Sequence, residues 1–315
     1  MALRTRVTTL LGIEHPIIQG GMAWTATAEL SAAVSNAGGI GIIGAGHMPT
    51  DLLREQIHMA KALTDRPFGV NLMLLTPHID DIVQMVLDEH VPVVTTGAGS
   101  PSKYMAALKA AGIKIIPVVP SVALAKRMQS IGADAVIGEG MEAGGHIGDL
   151  TTLVLTPQLA DAVSIPVIAA GGIADGRGMA AAFALGAEGV QIGTRFMCAE
   201  ECTIHPDVKD VLIKAKDRDT VVTGRSTGHP VRVLKNKLAR EIMELDRDGK
   251  VEEIEALGAG KLALAMRQGD TAMGSLMAGQ IAAMVCRIES AADIVTDLMN
   301  GAEEVMRALG TTPEA

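Results

Sequence analysis

A (β/α)8 TIM barrel interrupted by a small inserted helical domain is the architecture that the 315-residue sequence predicts. Three observations lead there. Short β-branched runs closed by glycine or small polar residues recur along the chain, and the gaps between them hold Ala/Leu-rich segments of helical period. After the last run the pattern breaks into a charge-rich stretch before helical periodicity returns.

The runs are Ile17–Gly20, Ile40–Gly46, Phe68–Leu74, Val91–Gly97, Lys114–Ser121, Ala135–Gly140, Val167–Gly172 and Val190–Arg195. Ala28–Ala37, Leu52–Ala62, Met105–Ala111 and Met179–Leu185 are examples of the intervening helices. Helical crossovers connect parallel strands, and near-continuous apolar runs such as Ile115-Ile116-Pro117-Val118-Val119 suit a sheet buried on both faces. Eight such units favour a closed barrel over an open doubly wound sheet, which usually has fewer strands and needs a switch in strand order. The expected division is a barrel of residues 1–198 and 271–315 and a small substrate or lid domain of residues 199–270, with helices over Ser275–Val285 and Ile294–Leu309 closing the ring.

Composition removes several classes of function. There are 27 Lys and Arg against 36 Asp and Glu, a formal net charge of −9, and a nucleic-acid binder needs a basic face instead. Aromatic residues are only 2% of the chain, so stacking platforms for single strands are scarce. The 48% apolar content excludes disorder, and with so few aromatics the core must be aliphatic, with 18 methionines as adaptable filler. Met1–Pro16 carries Arg4, Arg6 and Glu14 and no apolar run of secretory length. The uncharged stretch Leu30–Thr50 is broken by glycines and reads as helix, turn and strand, not a membrane span. Cys198, Cys202 and Cys286 are too few and too ill-spaced for a disulfide framework, so a cytoplasmic location is expected.

In a barrel, function sits at the carboxyl ends of the strands, and the loops after the seventh and eighth strands commonly bind phosphate. Those ends read Ala169-Ala170-Gly171-Gly172-Ile173 and Gln191-Ile192-Gly193-Thr194. Gly171, Gly172, Gly193 and Thr194 therefore suggest a phosphate cradle of backbone N–H groups with the positive ends of the following helices aimed at it, although the same glycines would also serve turns. Small residues crowd other strand ends too: Gly20-Gly21-Met22-Ala23, Gly44-Ala45-Gly46 and Thr95-Thr96-Gly97-Ala98-Gly99. A flat ligand across the mouth would demand them. Asn71, inside an apolar run, either contacts a heterocycle edge or is satisfied within the protein.

The segment Glu139-Gly140-Met141-Glu142-Ala143-Gly144-Gly145-His146-Ile147-Gly148 follows the sixth run. His146 there suits proton transfer or a hydrogen bond to a reacting carbonyl. Glu139 suits a ligand amide or hydroxyl, and Glu142 reads either as a ligand group or as a solvated loop carboxylate. Cys198, Cys202 and His205 have helix-like spacing but lack a fourth ligand, and no metal site is expected. Arg232, Lys235, Lys237 and Arg240 form a basic run that is either a solvated helix face or a guide for an acidic partner.

These residues resemble the FMN-dependent enoyl-acyl-carrier-protein reductase II family, whose relatives include nitronate monooxygenases. The likeness runs through Pro16–Trp24, Phe68–Leu75, Thr95–Gly99, Ile116–Lys126, Glu139–Gly148, Ile168–Asp175, Gln191–Phe196 and Met277-Ala278-Gly279-Gln280. It implies an FMN phosphate near Gly171, Gly172, Gly193 and Thr194. The ring would lie near Gly21, Met22, Asn71 and Glu139, and Gly20, Ala23, Gly46, Gly144, Gly145, Gln191, Met277, Gly279 and Gln280 would complete the cofactor-binding set.

The resemblance further implies that NADH or NADPH supplies a hydride which reaches the β-carbon of a trans-2-enoyl thioester, on acyl carrier protein or coenzyme A. His146 would polarise the thioester or deliver the α-proton. A homodimer is implied as well, and the family includes members activated by a monovalent cation. The resemblance implies two departures from many relatives, Cys202 where they carry Ser and a shorter stretch around Asp246–Glu255. Met273, Met277 and Met284 are read as one face of a helix, in the core or along an acyl pocket. The competing readings are a nitronate monooxygenase on the same barrel and a non-catalytic flavin- or phosphate-binding scaffold.

Overall fold

The computed structural model describes residues 3–46 and 48–310; residues 1, 2 and 311–315, at the ends of the expected barrel segments, lie outside it. Eight parallel strands close into a barrel: β1 (Ile17–Gln19), β2 (Ile40–Gly44), β3 (Gly69–Met73), β4 (Val93–Gly97), β5 (Lys114–Val119), β6 (Val136–Glu139), β8 (Val167–Ala170) and β9 (Gly189–Ile192). The ring is sealed by β1 on β9, with Ile17, Ile18 and Gln19 opposite Val190, Gln191 and Ile192. Seven of the eight runs read from the sequence contain one of these strands whole, and the eighth, Val190–Arg195, overlaps β9, which starts one residue earlier at Gly189.

The two-residue alternation of each strand decides what fills the cylinder. Ile18, Ile40, Ile42, Val93, Ile116, Ile137 and Ile168 meet inside it, and Val7 and Leu11 of helix α1 (Arg6–Leu11) join them as the floor. The alternate residues, such as Ile43, Val70, Leu72 and Val94, face outward and pack on α3 (Thr50–Leu63), α4 (Ile79–Asp88) and α5 (Met105–Ala110). Helices α2 (Ala28–Asn36), α6 (Val122–Ser130), α7 (Thr152–Ala162) and α8 (Gly176–Ala184) continue the outer ring.

Residues 199–270 contain α9 (Pro206–Ile213), α10 (Lys237–Arg247), α11 (Val251–Gly258) and α12 (Lys261–Gln268). They are not wholly helical. Strands β10 (Thr220–Thr223) and β11 (Val231–Leu234) form an antiparallel hairpin, and β11 also pairs with β7 (Gly145–His146), a two-residue strand in the segment after β6. A strand this short, rich in glycine, leaves no periodic trace; it exists because β11 supplies its partner.

The ring closes through α13 (Ala291–Gly310), which lies against α8 and α2. Its contact with α8 is glycine on glycine: a Cβ on Gly176 would lie 2.2 Å from the carbonyl carbon of Gly301. The helix expected over Ser275–Val285 is replaced by a bridge from Val233 to Met277 and a short 3-10 turn, Gln280–Met284. There the backbone is drawn to its neighbours on both sides and cannot coil.

Candidate functional site

Continuing the inward parity of the strands by one step defines the mouth of the barrel: Gly20, Gly44, Asn71, Thr95, Val118, Glu139 and Gln191. Asn71 is partly buried and donates Nδ2–H to Thr95 Oγ1 at 2.9 Å, which leaves its carbonyl oxygen for other use. Thr95 was legible from its place two residues beyond inward Val93, yet nothing in the Thr-Thr pair itself distinguishes it from outward Thr96.

The turn after β1 runs close across this ring. A Cβ on Gly20 would lie 3.0 Å from the Gln191 side chain, and one on Gly21 would lie 2.2 Å from Asn71 Cβ. Met22 turns the chain by accepting from Thr25 and Ala26 N–H at 3.1 and 2.8 Å, and its carbonyl would be 2.4 Å from a Cβ on Gly44. Ala23 sits beside Gly46, where an added Cβ would be 3.3 Å from the alanine methyl.

At the end of β8, Gly171 and Gly172 have φ of +88° and +73°, a left-handed pair open to glycine. Their N–H groups, and that of Gly193 after β9, donate to no acceptor among the described residues. Thr194 Oγ1 accepts from Gly279 N–H at 2.9 Å and keeps its own proton to donate. Asp175 caps the following helix, α8, by accepting from Arg177 and Gly178 N–H at 3.0 and 3.2 Å. The carboxylate already occupies the positive helix end.

The segment after β6 folds over this edge. Glu142 is not a solvated loop carboxylate: it accepts from Thr152 N–H at 2.9 Å and from Thr152 Oγ1 at 3.1 Å. Its backbone carbonyl accepts from Gln280 N–H at 2.9 Å. A Cβ on Gly144 would lie 2.6 Å from the Ala278 carbonyl carbon, and one on Gly145 3.6 Å from Met277 Sδ. Thus Gly144, Gly145, Thr194, Met277, Gly279 and Gln280, remote in the chain, meet at one corner. His146, exposed, follows on β7, held opposite Val231.

Glu139 is the electrostatic anomaly of the mouth. Desolvation by the surrounding barrel pushes its carboxyl up to about 7. Near neutrality it can therefore donate a proton or accept a hydrogen bond.

Other readings disperse. Arg232 is buried, Lys235 donates Nζ–H to the Arg218 carbonyl, and Lys237 pairs with Glu241 on α10, so the basic run shares no single face. Met273, Met277 and Met284 lie on irregular backbone and a 3-10 turn, with Met284 exposed, so they form no helical stripe. Burial pushes the Cys198 and Cys202 thiols up to about 12 and about 11, and His205 Nδ1 accepts from Asp207 N–H as the cap of α9. Buried Arg232, which donates Nε–H to the Met141 carbonyl at 3.0 Å and Nη1–H to Thr220 Oγ1 at 3.2 Å, had no signal beyond its place in that run.

Among the described residues no helix is long and apolar enough to cross a membrane. The sequence model of the family described as nitronate monooxygenase matches residues 4–85 and 78–301. Among solved structures, FabK from Thermotoga maritima is 53% identical, superposes with a TM-score of 0.95 and covers 97% of this chain and 98% of its own. A Mycobacterium tuberculosis (3aS,4S,5R,7aS)-5-hydroxy-7a-methyl-1-oxo-octahydro-1H-indene-4-carboxyl-CoA dehydrogenase is 43% identical over 245 residues, 77% of this chain and 69% of that protein. A probable nitronate monooxygenase of Staphylococcus saprophyticus is 39% identical over 293 residues, 78% of this chain and 82% of that protein. With the family pattern spread over nearly all of the barrel, the chain belongs to the nitronate monooxygenase family of oxidoreductases.

Proposed function

We propose that this protein is an FMN-dependent enoyl-acyl-carrier-protein reductase that reduces trans-2-enoyl thioesters with NADH or NADPH. The observation that supports the reading is the corner where Gly144, Gly145, Thr194, Met277, Gly279 and Gln280 meet, with the exposed His146 next along β7. The likeness to FabK supports it, and so does a 43%-identical relative whose name specifies a CoA thioester.

The residues present fit FMN. The Gly171, Gly172 and Gly193 amides lack acceptors among the described residues and would hold a phosphate, with the Thr194 hydroxyl as a further donor. Asn71 and Gln191 would meet the polar edge of the ring, and Gly20, Gly21, Met22, Ala23 and Gly46 leave room for its plane. FMN, when bound, supplies hydride transfer. The protein's residues do the rest: negative charge that develops on the thioester oxygen is stabilised by a donor placed there, and His146 is that donor or the source of the α-proton. A Glu139 carboxyl that is protonated near neutrality would offer a further hydrogen bond at the mouth. Residues 199–270 serve as the lid over the acyl chain, and a cytoplasmic homodimer is the proposed form.

The family model's own description and the 39%-identical relative favour a second reading, oxidation of nitronates by oxygen. One experiment separates the two. Protein is mixed anaerobically with NADH or NADPH and then with crotonyl thioester. Bleaching of the flavin band by the nicotinamide, followed by its return on adding the thioester, supports the reductase. Nitronate-dependent oxygen uptake without nicotinamide, in a protein that crotonyl thioester leaves bleached, replaces it with the second reading. A flavin band that neither nicotinamide nor nitronate bleaches would make the barrel a scaffold.

A further inference from the structure

Three basic side chains are more than nine-tenths buried among the described residues: Arg195, Lys209 and Arg232. Two have evident structural work. Arg195 pairs with Glu289 and Asp297 at 2.8 Å each, and Lys209 donates Nζ–H to the Ala199 carbonyl at 2.6 Å. Arg232, only 4% exposed, enters no ion pair among the described residues. It donates Nε–H to the Met141 carbonyl at 3.0 Å and Nη1–H to Thr220 Oγ1 at 3.2 Å.

Those two acceptors belong to different parts of the protein. Met141 lies in the segment after β6, and Thr220 begins β10 of the hairpin. Between them runs β7, in which Gly145 is opposite Arg232 itself and His146 is opposite Val231. A two-residue strand that includes a glycine at φ +78° does not hold its own shape. Besides that pairing, the segment is tied to the hairpin by the bond from Ile147 N–H to the Pro230 carbonyl, 3.1 Å. A planar guanidinium fixes its two donors relative to each other, so Met141 and Thr220 are held at a set separation; an ammonium is a point charge without that fork. Burial of an unpaired cation is costly, and Glu142 offsets part of the cost here from beyond ion-pair distance.

We propose that Arg232 is the positioning residue for His146: by clamping Met141 to Thr220 it holds β7, and the imidazole on it, in place at the barrel mouth. The inference rests on the reading of His146 as the group that acts on the substrate.

The test compares the purified holoprotein with Arg232→Lys, Arg232→Met, His146→Ala and the His146→Ala/Arg232→Met double variant. Hydrogen–deuterium exchange supplies a readout independent of activity. In both Arg232 variants the peptide covering residues 140–148 exchanges about tenfold faster, while β10, β11 and the barrel strands keep their protection. Unchanged exchange at 140–148, or acceleration spread evenly over the protein, overturns the proposal.

Kinetics supply the second readout. Arg232→Met lowers kcat with crotonyl thioester by about tenfold or more, because small misplacement of a reacting group is costly. It leaves the KM for nicotinamide and the rate of anaerobic bleaching unchanged. The double variant is no slower than His146→Ala, whereas multiplied losses would show that Arg232 acts by another route. Wild-type protein that never turns over an enoyl thioester sinks the functional reading instead, and the exchange data still decide whether the clamp exists.

Discussion

A Cβ on Gly21 would stand 2.2 Å from Cβ of Asn71, so the turn after β1 and the amide bonded to Thr95 compete for one space. Gly21→Ala is expected to push Asn71 off Thr95. Forced overpacking of this kind costs about 1–3 kcal/mol. Thermal melting of the variant reads that loss, and the flavin absorbance that survives gel filtration reads the damage to the mouth. A variant with wild-type melting and full flavin content would show that the turn can shift without consequence.

Gly171→Ala meets two obstacles at once, a φ of +88° and a Cβ 2.8 Å from the Gly140 carbonyl. The loop must move, and the amides assigned to the phosphate move with it. FMN affinity should fall about tenfold or more, since each charge-assisted hydrogen bond is worth about 1.5–3 kcal/mol. Gly258→Ala, where an added methyl meets nothing within 4 Å, serves as the control. Equal flavin affinity in the two variants, by fluorescence titration, would move the phosphate elsewhere.

The Glu139 carboxyl has a folded-state value of about 7 against an ordinary 4.5, with desolvation as the cause. Below the ordinary value both the folded and unfolded forms are protonated and no penalty exists. As pH rises towards 7, the unfolded chain ionises first and the folded protein loses stability relative to it. Above the folded value the penalty is constant, on the order of 3 kcal/mol. Glu139→Gln cannot ionise, so its stability advantage over wild type should grow between about pH 4.5 and about pH 7 and then level off. Denaturant titrations of flavin-free protein across that range provide the measurement; parallel curves for the two proteins would contradict the desolvation of this carboxyl.

His146 is exposed and lies outside the cradle of unbonded amides, so His146→Ala should leave FMN bound. Turnover with crotonyl thioester should drop about 100-fold or more, in line with removal of a general acid or oxyanion donor. Bleaching by nicotinamide should continue. Undiminished turnover would remove the imidazole from the mechanism.

Much of this was already present in the order of the residues. Each of the eight β-branched runs became a barrel strand, because burial on both faces selects continuous apolar stretches whatever their neighbours are. The left-handed turn after β8 was legible for a similarly local reason: φ of +88° and +73° at Gly171 and Gly172 is a conformation that glycine adopts freely. The helix expected over Ser275–Val285, by contrast, did not form.

The remainder depended on partners far away in the chain. Asp175 caps the first turn of α8 with its own carboxylate, a contact that only the folded turn brings about. Glu142 became a cap for the chain at Thr152, and Arg232 turned inward from a run that looked uniformly solvated. The two-residue strand that carries His146 has no propensity of its own; it forms only when β11 arrives to pair with it. Local periodicity is written into the chain because it repeats every two or every 3.6 residues. Which charge is buried, which amide is left unbonded and where the imidazole stands are set by single contacts between remote segments, and those come into being only as the barrel closes.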